Sequence, residues 1–177
     1  MYKTIFVLSP TSVATGGTEL LQQLVFKLRK LHQEAYMYYL DTYENSPVQR
    51  VFGPRYNNPA VVQIEDRKEN IMIVPENSMY LLLRYKKITK AVWWLSVDNY
   101  KGATNVKVDI FHSIYRFLID KYYRKKDKKW LHFVQSEYAY LYCVKNRQIS
   151  IKQVFYLSDY LRSDLNLFHS LKIVSKC

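Results

Sequence analysis

The segment Thr15-Gly16-Gly17-Thr18-Glu19 has the residue types needed to hold an anion against a polypeptide backbone. Glycines let a ligand approach main-chain amides without a Cβ in the way. If a helix starts here, its first N–H groups lack intrahelical partners and carry partial positive charge, which suits phosphate or carboxylate. The same residues also suit a capped turn, with Thr15 or Thr18 bonding a free amide and Glu19 favouring the dipole. The spacing is neither GxGxxG nor a P-loop, because no Gly-Lys-Ser/Thr follows. That disfavours an ordinary dinucleotide site.

A second cluster is Trp93-Trp94-Leu95-Ser96-Val97-Asp98-Asn99. Aromatic faces beside carboxylate and amide groups suit sugars, which present apolar C–H faces and a rim of hydroxyls. On a strand the two tryptophans point to opposite faces, so at most one of them, taken as Trp94, lines a given face. Two core tryptophans and an Asp-Asn turn would explain the same residues. Glu76-Asn77 holds a comparable position after another apolar run, where Asn77 or Ser78 would equally serve as a helix cap.

The third feature is charge. The chain holds 27 Lys and Arg against 15 Asp and Glu, a net +12, and residues 1–76 balance at eight of each sign. The whole excess therefore lies beyond residue 76. It is densest in Lys121-Tyr122-Tyr123-Arg124-Lys125-Lys126-Asp127-Lys128-Lys129-Trp130. Polybasic segments beside aromatics bind anionic lipid surfaces or nucleic-acid phosphates. A solvated helix end followed by a charged loop has the same composition.

Other chemistry is missing. His32, His112, His132 and His169 are scattered, and no HExxH or His/Cys cluster offers zinc-ligand spacing. There is no GxSxG elbow. No catalytic residue is named. Two cysteines, Cys143 and Cys177, are too few for a disulfide scaffold and predict a reduced compartment.

The elements that must position these residues follow from periodicity. Residues 4–8 form a continuous apolar run, as in a strand buried on both faces. Leu20, Leu21, Leu24, Val25, Leu28 and Leu31 then recur at helical spacing. Strands are predicted over 35–40, 70–76, 90–97, 131–135 and 154–157. Helices are predicted over 78–87, over 109–125 and from Ser136. Residues 42–60, with Pro47, Pro54, Pro59 and Gly53, read as an excursion holding at most a short strand, and 98–102 read as a turn. Strands alternating with helices predict an α/β, Rossmann-like three-layer domain, with a mainly parallel sheet and helices on both faces. At 49% apolar and 16% aromatic the chain is no disordered tail. Residues 1–8 are too short for a signal-peptide core, and no run spans a membrane. A soluble, cytoplasmic protein is expected, with attachment to the inner membrane face left open.

Four blocks in order, Ser9-Pro10 with Ala14 to Glu19, Ala91 to Asn99, His132 to Ala139, and Tyr156 to Tyr160, resemble the N-terminal, acceptor-side half of bacterial GT-B-fold glycosyltransferases of polysaccharide biosynthesis (glycosyltransferase family 4-like). The resemblance covers residues 2–160. It implies that Thr15, Gly16, Gly17 and Thr18 form the loop beside the donor's diphosphate. Glu76, Asn77, Trp94, Asp98 and Asn99 would lie on the acceptor side. It implies no metal and no cofactor beyond the nucleotide-sugar substrate, with a saccharide or lipid-linked acceptor. The donor-binding domain of such enzymes often carries two glutamates eight positions apart, a pair this sequence lacks. Residues 161–177 do not look like the start of that domain and read as an altered or truncated tail. The expectation is a half-enzyme, inactive alone, that works with a partner chain or as a homodimer. An anionic membrane surface would be met by Lys121, Arg124, Lys125, Lys126, Lys128 and Lys129, while nucleic acid is disfavoured as a partner. The competing reading is a non-catalytic basic module for nucleic acid or anionic membrane.

Overall fold

A computed structural model describes residues 2–102 and 122–157. Seven strands lie in one sheet, all parallel: β1 (Thr4–Ser9), β2 (Ala35–Tyr39), β3 (Ala60–Val61), β4 (Asn70–Pro75), β5 (Thr89–Trp94), β6 (Leu131–Val134) and β7 (Val154–Tyr156). Their order is β3-β2-β1-β4-β5-β6-β7. The chain thus builds outward from β1 on one side, then returns to β4 on the other. Between β1 and β4 the winding reverses, and ligand crevices of such sheets open there, outside the carboxyl ends of the strands.

Continuous apolar runs form these strands because both sheet faces are covered. Side chains alternate between the faces. Val7, Ile71, Ile73, Ala91 and Trp93 point one way, against Leu20, Leu21 and Val25 of helix α1 (Gly16–Lys30). Phe6, Leu8, Met72, Val74, Val92, Trp94 and Val134 point the other way. They meet Met79, Leu81 and Leu82 of a 3₁₀ segment, Glu76–Arg84, which stands where an α-helix over 78–87 was expected. The same face is covered by Ala139, Tyr142 and Cys143. These belong to α4 (Glu137–Leu141) and the π-type turn Tyr142–Asn146 that extends it. The result is the three-layer Rossmann-like domain that the alternation predicts.

Two local expectations need correction. Residues 42–60 contain a helix, α2 (Pro47–Tyr56). Ser46 caps it by accepting from the Gln49 N–H, and Pro47 occupies the first turn, where a missing N–H is harmless. Asn57 ends it in the left-handed conformation, at φ 40°. The second correction concerns 98–102. β5 stops at Trp94 and a short helix, α3 (Val97–Gly102), begins where a turn was expected. The helix predicted over 109–125 falls mostly outside the described residues, although 122–126 are helical. Lys121, Cys177 and the tail 161–177 also lie outside them.

Candidate functional site

Thr15 is the N-cap of α1, with extended backbone at φ −133° and ψ 170°. Its Oγ1 accepts from the Thr18 N–H at 3.4 Å, and the Thr18 hydroxyl accepts from the Thr15 N–H at 2.8 Å. This reciprocal capping box satisfies two of the first-turn donors. The Glu19 N–H donates to the Thr15 carbonyl at 2.9 Å. That leaves the Gly16 and Gly17 amides without a protein acceptor among the described residues. Both sit at the carboxyl edge of the sheet, at the end of the chain's path from β1 to α1.

The two glycines differ in surroundings. A Cβ built on Gly16 meets nothing within 4 Å, so no part of the protein requires a glycine there. One built on Gly17 would stand 3.6 Å from Leu95 Cδ1, an ordinary contact. Leu95, just past the end of β5, therefore forms the neighbouring wall of the loop.

What holds Leu95 in place is Glu76. Its carboxylate accepts from the Leu95 N–H at 2.9 Å and from the Ser96 N–H at 3.2 Å. The side chain spans from the end of β4 to the bend between β5 and α3, and it is only 4% exposed. Burial pushes its carboxyl above the usual range, while the backbone N–H bonds pull the other way. With both oxygens engaged by main chain, Glu76 acts as a brace. Gln135, after β6, adds a second tie by donating from Nε2 to the Leu95 carbonyl at 2.6 Å.

The remaining expected residues divide. Trp94 is corrected: it is 0% exposed and lies in the core, so it offers no face to a sugar. Its indole N–H donates to His132 Nδ1 at 3.0 Å, and Arg147 stands over its ring at 5.3 Å. Asn77 is exposed on the same rim as Glu76, accepting from the Ser78 hydroxyl at 3.0 Å. Asp98 is exposed and accepts from the Tyr138 hydroxyl at 2.8 Å, linking α3 to α4. The Asn99 side chain lies outside the described residues. Of the basic run, Lys125, Lys126, Lys128 and Lys129 are exposed, and Arg124 donates to the Asn146 carbonyl at 2.7 Å. That run leads into β6, at the edge of the sheet opposite the glycine loop.

Sequence reasoning missed Arg55 and Tyr56 near the first turn of α1. Both reach Glu19 Oε1, Arg55 at 2.8 Å and the Tyr56 hydroxyl at 2.9 Å. The signal was the spacing Val48, Phe52, Tyr56, which buries one face of α2 against α1. It was masked by two prolines and a glycine. Among the described residues no group of His, Cys, Asp or Glu is placed to hold a metal ion, and no helix is long and apolar enough to cross a membrane. Comparison with protein-family models, curated proteins and solved structures returned no match.

Proposed function

We propose that this chain is the acceptor-side domain of a glycosyltransferase that moves a sugar from a nucleotide sugar to a saccharide or lipid-linked acceptor. The observation that carries the reading is the start of α1. Two glycine amides there lack protein acceptors, one of them with open space over its Cα, beside the β1/β4 reversal. In this reading those amides and the helix dipole meet the donor's diphosphate, stabilising the negative charge that grows as the sugar–phosphate bond breaks. Glu76 keeps the Leu95 wall at the right distance. Asn77 and Asp98, exposed on the adjoining rims, face the acceptor. The nucleoside and the sugar would be gripped by a second Rossmann-like unit.

Amide NMR of the chain titrated with pyrophosphate and with UDP-glucose tests the reading. Shifts confined to Gly16, Gly17 and Thr18, saturating at about millimolar ligand, which corresponds to roughly −4 kcal/mol, and abolished by Gly16→Val, are expected. Unmoved Gly16 and Gly17 resonances in folded protein would overturn it.

A further inference from the structure

The basic run singled out in the sequence is not alone on its edge of the sheet. In an all-parallel sheet every segment leading into a strand arrives at the same edge. Lys86 and Lys87 precede β5, Lys126, Lys128 and Lys129 precede β6, and Lys152 precedes β7; all six are exposed. These segments are far apart in the chain, and contacts on the structure join them. Lys90 Nζ stands 5.9 Å from the Trp130 ring centroid, bridging the start of β5 to the start of β6. Arg124 bonds the Asn146 carbonyl, bridging the β6 approach to the β7 approach. Burial holds the Lys90 ammonium below its usual range, with Asp66 opposing and Lys126 adding to the shift.

Among the described residues little negative charge is left to neutralise this edge. Residues 85–88, 122–130 and 146–153 contain a single carboxylate, Asp127, which is fully buried and paired with Arg147. Next door, Asp66 accepts the N–H groups of Lys86, Lys87 and Ile88 at 2.8–2.9 Å. Large apolar side chains stand among the lysines. Ile151 is 64% exposed beside Lys152, and Tyr122 is 51% exposed with Lys126 Nζ 5.7 Å from its ring centroid.

We infer that the edge of the sheet where β5, β6 and β7 begin is a docking face for an anionic phospholipid bilayer, with Lys86, Lys87, Lys126, Lys128, Lys129 and Lys152 meeting the headgroups and Ile151 and Tyr122 entering the interface. The choice of a bilayer over nucleic acid rests on two features. Apart from Arg84, the exposed cations here are lysines, flexible point charges, whereas Arg124 and Arg147 are committed to protein oxygens. An exposed isoleucine gains nothing from a phosphodiester strand but gains by insertion among acyl chains. The inference does not rest on the glycosyltransferase reading, because this face lies at the opposite edge from the glycine loop.

Co-sedimentation of the full chain with phosphatidylcholine vesicles, with and without phosphatidylglycerol, tests it. Binding only to the anionic vesicles, weakened by added salt, is expected. Each lysine contributes about a fivefold factor in affinity, so Lys128→Gln/Lys129→Gln/Lys152→Gln should lose about 100-fold. Circular dichroism should show an unchanged fold. Ile151→Ser should weaken vesicle binding without affecting retention on an oligonucleotide, and Gly16→Val should leave vesicle binding untouched. Equal binding to neutral vesicles, no binding to anionic ones, an unaffected triple variant, or tighter binding to an oligonucleotide than to anionic vesicles would each overturn the inference.

Discussion

Gly16 separates what the fold needs from what a ligand needs. Its φ is not positive and nothing crowds its Cβ position, so Gly16→Ala removes only unfolded-chain entropy. Thermal denaturation should show Gly16→Ala as stable as the parent, or more so by about 0.4–1 kcal/mol. Pyrophosphate shifts at residues 16–18 should nonetheless weaken; an alanine that leaves them intact would mean that no ligand uses this clearance. Glu76 is the converse case, a residue whose chemistry serves the fold. Gln in its place keeps one acceptor and turns an amide NH₂ toward the other main-chain N–H. Glu76→Gln should therefore cost about 1–3 kcal/mol in urea unfolding. Amide exchange should quicken at Leu95 and Ser96 first, since those are the groups it holds. Uniform acceleration across the sheet would show that Glu76 is not a local brace.

Elements were legible where one signal acted alone. The strands at 4–8, 70–76 and 131–135 announced themselves as short, mostly apolar runs, because a sheet covered on both faces leaves few positions for a polar side chain. Helix α1 was plain from its leucine spacing. α2 was not, because Pro47, Gly53 and Pro54 weigh against a helix while only Val48, Phe52 and Tyr56 argue for one; contacts with α1, invisible from local sequence, decided it. The site shows the same limit. The glycine loop could be read from strand, turn and cap residues, but the burial of Trp94 could not, because it depends on His132 and Arg147 from elsewhere in the chain. That buried cluster carries its own prediction. The Trp94 indole donates to Nδ1 of His132, whose Nε2–H donates to the Asp127 carbonyl at 3.0 Å, so the imidazole is held neutral. Burial lowers its pKa, with the Asp127 charge opposing and the Arg147 charge assisting. The unfolded chain takes up this proton near the ordinary value, about 6.5. Below that pH the unfolded state binds protons that the native state refuses, and stability falls until the lower native value is passed. Glu76, with its raised pKa, contributes in the opposite sense. The measurement is therefore the difference between parent and His132→Gln: unfolding free energies should converge as pH drops from 7 to 5, and parallel curves would refute a buried neutral His132.

At the scale of the whole molecule the two edges of the sheet are electrostatically unlike. The carboxyl edge carries carboxylates, Glu76 after β4, Asp98 after β5 and Glu137 after β6. The opposite edge, between the starts of β5 and β7, has exposed lysines and, among the described residues, no exposed carboxylate. Parallel topology causes this, since it gathers every strand approach onto one side and so concentrates whatever charge those approaches share. Such concentration strains the native state, because like charges crowded at one edge repel more than the same charges on an expanded chain. Stability should therefore rise with ionic strength, the reverse of a protein held together by surface ion pairs, because salt screens the lysines across a Debye length of about 10 Å at 0.1 M. Thermal melts in increasing sodium chloride should move upward. Sodium sulfate raises stability by exclusion from any surface and does not discriminate, so chloride is the salt to use. The specific claim is about place. Replacing Lys86, Lys128 and Lys129 with Gln should flatten the chloride dependence, while the same number of charge removals at Lys27, Lys30 and Arg50, away from the starts of β5, β6 and β7, should leave most of it. Equal flattening by the two sets would mean that net charge alone, rather than its gathering on the β5–β7 edge, sets the response to salt.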